Sequence, residues 1–335
     1  MRLAGNVAQS SGASTYKLHI PGSKLWKRES SEPNMERIDI AFAGAHGTIL
    51  RGWLYLPEKR QERLPAVVMI HGFSATKEMA TDRFSEVFCR NGFAVLLYDH
   101  RNFGESDGDP RQLINPWAQA RDVRYAISWL TSRSEIDSTR IALWGSSLGS
   151  AVAIVVGSVD SRPRAIIANV TRITQDALSP DASQRFVILR DALLDESGKG
   201  PADSSNPPQG PFAVVDEPGN KLPVYASNDP VATEWFLRYG RRPGSRWQNC
   251  VLLREMWQGT PKFNWDICLE RIPPRPVLIT LATGDGPIDT ARAISQRHPD
   301  SIQLEVFEGH HFITYDGAAF ERASTLMCDF LRRYL

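Results

Sequence analysis

The five residues Gly145-Ser146-Ser147-Leu148-Gly149 constrain this chain more than any other stretch. They follow the apolar run Arg140-Ile141-Ala142-Leu143-Trp144 and precede a small, apolar segment over residues 150–157, so strand, tight turn and helix come in immediate succession. A serine at the centre of G-x-S-x-G in that setting sits on strained backbone that lifts its hydroxyl above a sheet. The flanking glycines let strand and helix pass at close range. Ser147, rather than its neighbour Ser146, is therefore the candidate nucleophile. A glycine-rich turn without chemistry has the same appearance, so the assignment depends on partners elsewhere in the chain.

The rest of the chain alternates strand-like and helix-like segments. Residues 36–42 and 48–56 read as a hairpin around Gly44-Ala45-His46-Gly47. Residues 65–70 are continuously apolar, as a strand covered on both faces should be, and end in His71-Gly72-Phe73. His71, at a strand end before glycine, is expected to fix the loop by hydrogen bonding rather than to act as a base. Residues 76–91 carry Met79, Phe84, Val87 and Phe88 at helical spacing, with Asn91-Gly92 as a C-cap. A buried strand over 93–98 leads into the charged loop 99–108, whose charges are expected to serve ion pairs and turn caps. An amphipathic helix over 116–132 precedes the elbow strand, and further strands follow at 164–169, 276–281 and 302–307. The pattern predicts an α/β chain with a mainly parallel, doubly wound sheet.

Residues 171–270 differ from their surroundings. No strand-length apolar run occurs there, residues 201–223 are crowded with proline and glycine, and Trp235, Phe236, Trp247, Trp257 and Trp265 are too aromatic for a disordered insertion. The segment is expected to be a helical cap inserted between core segments 36–170 and 271–335, its aromatic residues favouring an apolar acyl chain or ring system. Residues 1–35 are expected to be a flexible extension. Its first 28 residues hold five basic and no acidic side chains, a bias shared with organellar transit peptides, but no secretory apolar core.

With 39 basic against 38 acidic residues the net charge is +1, which gives no electrostatic case for nucleic acid or an anionic membrane as partner. No run approaches the roughly 20 apolar residues of a membrane span. The four cysteines, Cys89, Cys250, Cys268 and Cys328, lack zinc-site spacing, and a cytoplasmic, reducing setting is expected.

Partners for Ser147 come after later strands. Ala282-Thr283-Gly284-Asp285 sits at the carboxyl end of strand 276–281, where catalytic acids collect in open α/β sheets. Asp289 is the competing acid, but its place before Thr290 suits a helix cap. Glu308-Gly309-His310-His311-Phe312 follows the last strand and offers two histidines. The order Ser, Asp, His is that of neither chymotrypsin-like nor subtilisin-like folds. Backbone N–H groups of Phe73 and Leu148 are the candidate donors to an oxyanion.

The motifs themselves resemble a known group: His71-Gly72-Phe73 with Lys77-Glu78, the loop from Tyr98 to Gly108 with Pro110-Arg111 and Asn115-Pro116, the elbow, Asn228-Asp229-Pro230, Trp247-Gln248-Asn249, and the stretch from Gly309 to Tyr315. Together they are similar to α/β hydrolases of the dienelactone-hydrolase and X-prolyl-peptidase-like group, most closely its fungal polyketide transferase and thiohydrolase branch. The resemblance covers most of residues 36–335 and implies an α/β-hydrolase fold. It places Asp285 on the acidic position and, through the family's Gly-Gly-His-Phe pattern, His311 on the base. It also implies a polyketide-like acyl substrate and, as a candidate partner, a polyketide synthase carrier domain. The chain departs from the pattern at His310, where a second glycine is usual, and at Ile313, where aspartate is common.

Ser147, His311 and Asp285 then compose a triad in which an acyl-enzyme forms on Ser147. Three functions stay open: hydrolysis of an ester or thioester of an apolar or polyketide-like acyl group, transfer of such a group from a carrier thioester to an alcohol in secondary metabolism, and ligand reception without catalysis. No cofactor and no metal is expected, because triad chemistry needs neither.

Overall fold

The computed structural model describes residues 35–58, 63–197, 207–224, 229–254 and 261–335. The extension expected over residues 1–35 therefore lies outside the described residues except for Met35, which opens the first strand.

Strands β1 (Met35–Ala43) and β2 (Ile49–Pro57) pair antiparallel, with Phe42 opposite Leu50. Their connection is a tight turn in which His46 and Gly47 take φ of 56° and 76°. β3 (Leu64–Ile70) is buried at every position, as its unbroken apolar run requires. The helix expected over 76–91 is shorter: α1 spans Thr81–Arg90. Residues before it cannot join because Ala80 is left-handed at φ 64° and the Lys77 N–H donates to the Asp99 carboxylate at 2.8 Å rather than to a helical carbonyl. Gly92, at φ 94°, ends the helix as expected.

The chain continues through β4 (Ala94–Tyr98), β5 (Leu113–Ile114), α2 (Pro116–Thr131), β6 (Ile136–Ser146), α3 (Leu148–Val159) and β7 (Ala165–Asn169). Asn115 caps α2 by accepting from the Ala118 N–H at 3.2 Å. Then come α4 (Ala182–Leu194), β8 (Gln209–Phe212), α5 (Pro230–Gly240), β9 (Val251–Leu253) and α6 (Asp266–Leu269). The last elements are β10 (Val277–Ala282), α7 (Asp289–Arg297), β11 (Ile302–Phe307) and α8 (Gly317–Tyr334).

The main sheet has the order β1-β2-β4-β3-β6-β7-β10-β11. It is antiparallel only at β1/β2 and β2/β4, and one apolar cluster covers each face. Strand β6, which leads into Ser147, is central, and β10 and β11 lie to the same side of it beyond β7. All four end at the same edge, so the loops after them converge there.

The segment between β7 and β10 is not helical throughout. β8, β9 and the earlier β5 form a second, three-stranded sheet in the order β5-β9-β8, with β5 and β9 parallel. Strands of two to four residues are too short to show a period in sequence.

The charged loop after β4 serves structure, as expected. The Lys77 ammonium, with a side chain fully shielded from solvent, lies 2.8 Å from both Asp99 and Glu105 and 3.0 Å from Glu78. Arg101 forks onto the buried Asp122 at 2.5 and 2.6 Å. Among the described residues no helix is long and apolar enough to cross a membrane.

Candidate active site

Ser147 links β6 to α3 at φ 54° and ψ −120°, a conformation that an L-residue adopts only when its surroundings impose it. Those surroundings are tight. A Cβ on Gly145 would lie 2.1 Å from the Gly149 carbonyl oxygen, and one on Gly149 would lie 2.1 Å from that of Ile70. Only glycine lets β6, α3 and β3 approach so closely. The Ser147 N–H is held at 2.9 Å by the carbonyl of Asn169 at the end of β7.

The structure brings the three sequence-assigned side chains together. His311 Nε2 lies 2.8 Å from Ser147 Oγ, and its Nδ1 lies 2.8 and 2.9 Å from the two carboxylate oxygens of Asp285. Asp285 closes a single turn immediately after β10. His310 is not part of this chain: its Nδ1 instead accepts the Phe312 N–H at 3.1 Å, tightening the loop.

Asp289 lines a cavity of about 290 Å³ with Asp285 but makes no bond to His311 among the described contacts, and its expected capping role is corrected. It is the first residue of α7, the N-cap position falls to Ile288, and no side chain caps that end. Its carboxylate adds favourable charge to the first helical turn.

Phe73 and Leu148 flank Ser147. A Cβ on Gly72 would lie 3.2 Å from Ser147 Cβ, which places the backbone that leads into Phe73 beside the serine. Leu148 is the first residue of α3, where an N–H has no carbonyl four residues back to bind.

His71 fixes the loop as expected, by accepting the His100 N–H on Nε2 at 3.1 Å. Burial pushes its pKa down to about 4 and also lowers that of His100. An unfolded histidine titrates near 6.5, so the unfolded chain gains this proton first as pH falls. Stability from the neutral imidazole is complete above about pH 6.5 and declines toward pH 4. Thermal melts across that window should fall more steeply for the wild type than for His71→Gln; equal slopes would contradict the assignment.

The tryptophans of the inserted segment do something different from what their number implies in sequence. Trp235 and Trp247 are only 7% and 4% exposed and bury most of their surface against neighbouring rings, although Trp235 also lines a cavity. Trp235 stacks on Phe312, next to His311, with ring centroids 4.8 Å apart, and Trp247 stacks on Phe236 at 5.8 Å. On the same helix, the Tyr239 hydroxyl donates to Asp316 at 2.7 Å and Arg238 pairs with it at 3.2 Å. Helix α5 thus holds the loop that carries His311. Trp257 and Asn228 lie outside the described residues. His310 and Ile313, the two departures from the family pattern, line one cavity of about 220 Å³ together with Trp235 and Phe312.

Because Trp235 supports the His311 loop, Trp235→Ala is expected to slow reaction with short and long acyl esters alike, by about 10-fold or more. A change confined to long esters would mean that the side chain reads substrate instead.

A polar cluster lies directly beneath the elbow. Ser146 Oγ is 2.5 Å from the Tyr315 hydroxyl, and the Asn169 amide donates to Ser146 Oγ at 2.9 Å and to Thr314 Oγ1 at 3.3 Å. The Thr280 hydroxyl donates to Asn169 Oδ1 at 2.8 Å. All five residues are buried, and burial raises the Tyr315 pKa far above the ordinary phenol range. The sequence signal for them was a polar residue inside an apolar strand run, Thr280 in β10 and Asn169 at the end of β7.

Comparison with known proteins agrees with this fold. The model of the X-Pro dipeptidyl-peptidase (S15) family matches residues 46–178. Thiohydrolase aneE of Aspergillus aculeatus is 40% identical over 159 residues, a match that spans about half of each chain, 47% of this one and 49% of aneE. A thiohydrolase of Eupenicillium brefeldianum is 25% identical over 93% of this chain and 96% of its own. Polyketide transferase grgF of a Penicillium species is 26% identical over 90% of this chain and 98% of its own. The crystal structure of the alpha/beta hydrolase GrgF from Penicillium sp. sh18 superposes with a TM-score of 0.65, covering 89% of this chain and 99% of that one. The chain has the α/β-hydrolase fold. In sequence it is similar to fungal thiohydrolases and polyketide transferases.

Proposed function

We propose that this chain is a serine hydrolase that cleaves a thioester or ester of an apolar, polyketide-like acyl group. Ser147 attacks the carbonyl while His311 takes its proton, Asp285 holds the imidazole with Nδ1 protonated, and the N–H groups of Phe73 and Leu148 receive the oxyanion. An acyl-enzyme forms, and His311 then activates the water that releases the acid. The observation that carries this proposal is the continuous Ser147–His311–Asp285 contact, 2.8 Å at each step, on an elbow whose serine sits at φ 54°.

Segment 171–270 acts as the cap, a role supported by the docking of α5 against the His311 loop. The thiohydrolase relatives support a thioester as the scissile bond, carried on a small thiol or on a carrier domain. The polyketide transferase relative favours a second outcome, in which an alcohol displaces the acyl group from Ser147.

A panel of short and long acyl thioesters, incubated with and without an alcohol acceptor and followed by mass spectrometry, separates these outcomes. Free acid in both conditions is expected. An ester formed only when alcohol is present would assign transfer instead, and intact thioester throughout would contradict both.

A further inference from the structure

Resting on the triad reading above, we infer that Asn169 is a positioning residue that sets nucleophile, acid and base in mutual register. Among the described contacts it touches the supports of all three. Its carbonyl accepts the Ser147 N–H at 2.9 Å, which fixes the elbow. Its side-chain oxygen accepts from Thr280 on β10, five residues before Asp285. Its amide donates to Thr314, three residues after His311, and to Ser146, whose hydroxyl meets Tyr315 on the same loop. The triad side chains come from three separate strand ends, so their spacing depends on whatever ties those ends together. Asn169 does so from the strand between β6 and β10.

The side chain suits the task. A primary amide offers two donors and an acceptor in one plane, and Asn169 uses both kinds, to Ser146 and Thr314 as donor and from Thr280 as acceptor. Aspartate could not donate, and leucine of similar size could do neither. Next to it Val170 is left-handed at φ 41°, a rare state for a β-branched residue, kept by a 3.0 Å bond from its N–H to Thr280 Oγ1. Thr280 therefore orients Asn169 twice, through the side chain and through the backbone after it. A buried network of this kind is rigid while every member is satisfied and loses register when one is removed.

Thr280→Val is the decisive variant, since it keeps shape and removes the hydroxyl, with Thr280→Ser as the conservative rescue and Tyr315→Phe as a second break. Turnover of an acyl thioester per mole of protein that shows the wild-type melting transition excludes misfolded protein from the comparison and applies equally to Ser147→Ala. We expect kcat to fall about 10- to 100-fold in Thr280→Val and Tyr315→Phe with KM within about threefold, and Thr280→Ser to recover most of the loss. Wild-type kcat in Thr280→Val, or Thr280→Ser as impaired as valine, would overturn the positioning role. Ser147→Ala run in parallel separates the two ideas. Turnover that survives in it would overturn the triad reading, whereas turnover lost in it but intact in Thr280→Val overturns the role of Asn169 alone.

Discussion

Ser147→Ala should lower turnover of an acyl thioester by several orders of magnitude while leaving the melting temperature within a few degrees of wild type. Alanine keeps the Cβ that fits the elbow and the N–H held by Asn169, so the backbone at φ 54° has the same support. What it loses is the only hydroxyl within hydrogen-bond distance of His311 Nε2 among the described contacts. Triad members act as a unit, and losing the nucleophile alone costs nearly as much as losing all three, with a residual rate left to the oxyanion donors. Ser146→Ala is the internal control. From sequence alone it is expected to keep most of its activity, but Ser146 Oγ bonds Tyr315 and Asn169 beneath the elbow, which makes a loss of about 10-fold the expected result. Equal losses in the two variants, measured as kcat on folded protein, would remove Ser147 from the nucleophile's place.

His311→Ala should abolish acylation, because without an imidazole 2.8 Å from Ser147 Oγ nothing takes the proton as the hydroxyl attacks. Positioned proton transfer is worth roughly 10²- to 10⁴-fold. His310→Ala should cost far less, since that ring is exposed and its bond to the Phe312 N–H shapes only the turn. It also lines the 220 Å³ cavity beside Trp235, so a change in acyl preference is expected there. Pre-steady-state acylation of both variants checks the assignment: an active His311→Ala beside a dead His310→Ala would shift the base by one residue.

The sheet and the meeting of Ser147, Asp285 and His311 at its edge were legible in the sequence for a shared reason. Strands buried on both faces are almost continuously apolar, as β3 is and as β10 is apart from Thr280, so their ends stand out, and in an open parallel sheet catalytic groups gather at those ends. Ser147 and Asp285 follow such ends directly. His310 and His311 were indistinguishable by local pattern, and only the family's spacing separated them. The buried cluster of Ser146, Asn169, Thr280, Thr314 and Tyr315 was not read because its members are single polar residues scattered along the chain. Their partners are fixed by strand order, which the sequence does not state. The small sheet of β5, β8 and β9 escaped for lack of length, and Asp289 was assigned a cap because helix starts are local while the choice of the starting residue is not. The tryptophans show the same limit. Composition indicated that the inserted segment is packed, but not that Trp235 packs on the loop of the base.

A covalent intermediate at one side chain is what distinguishes this mechanism. Peptide-mapped mass spectrometry of the protein, quenched within milliseconds of mixing with a long-chain acyl thioester, tests this directly. The expected result is a single acyl adduct on the peptide containing Ser147, absent from both Ser147→Ala and His311→Ala. Thioester cleavage without any adduct in the wild type, or an adduct on Ser146 or on Cys250, would contradict it.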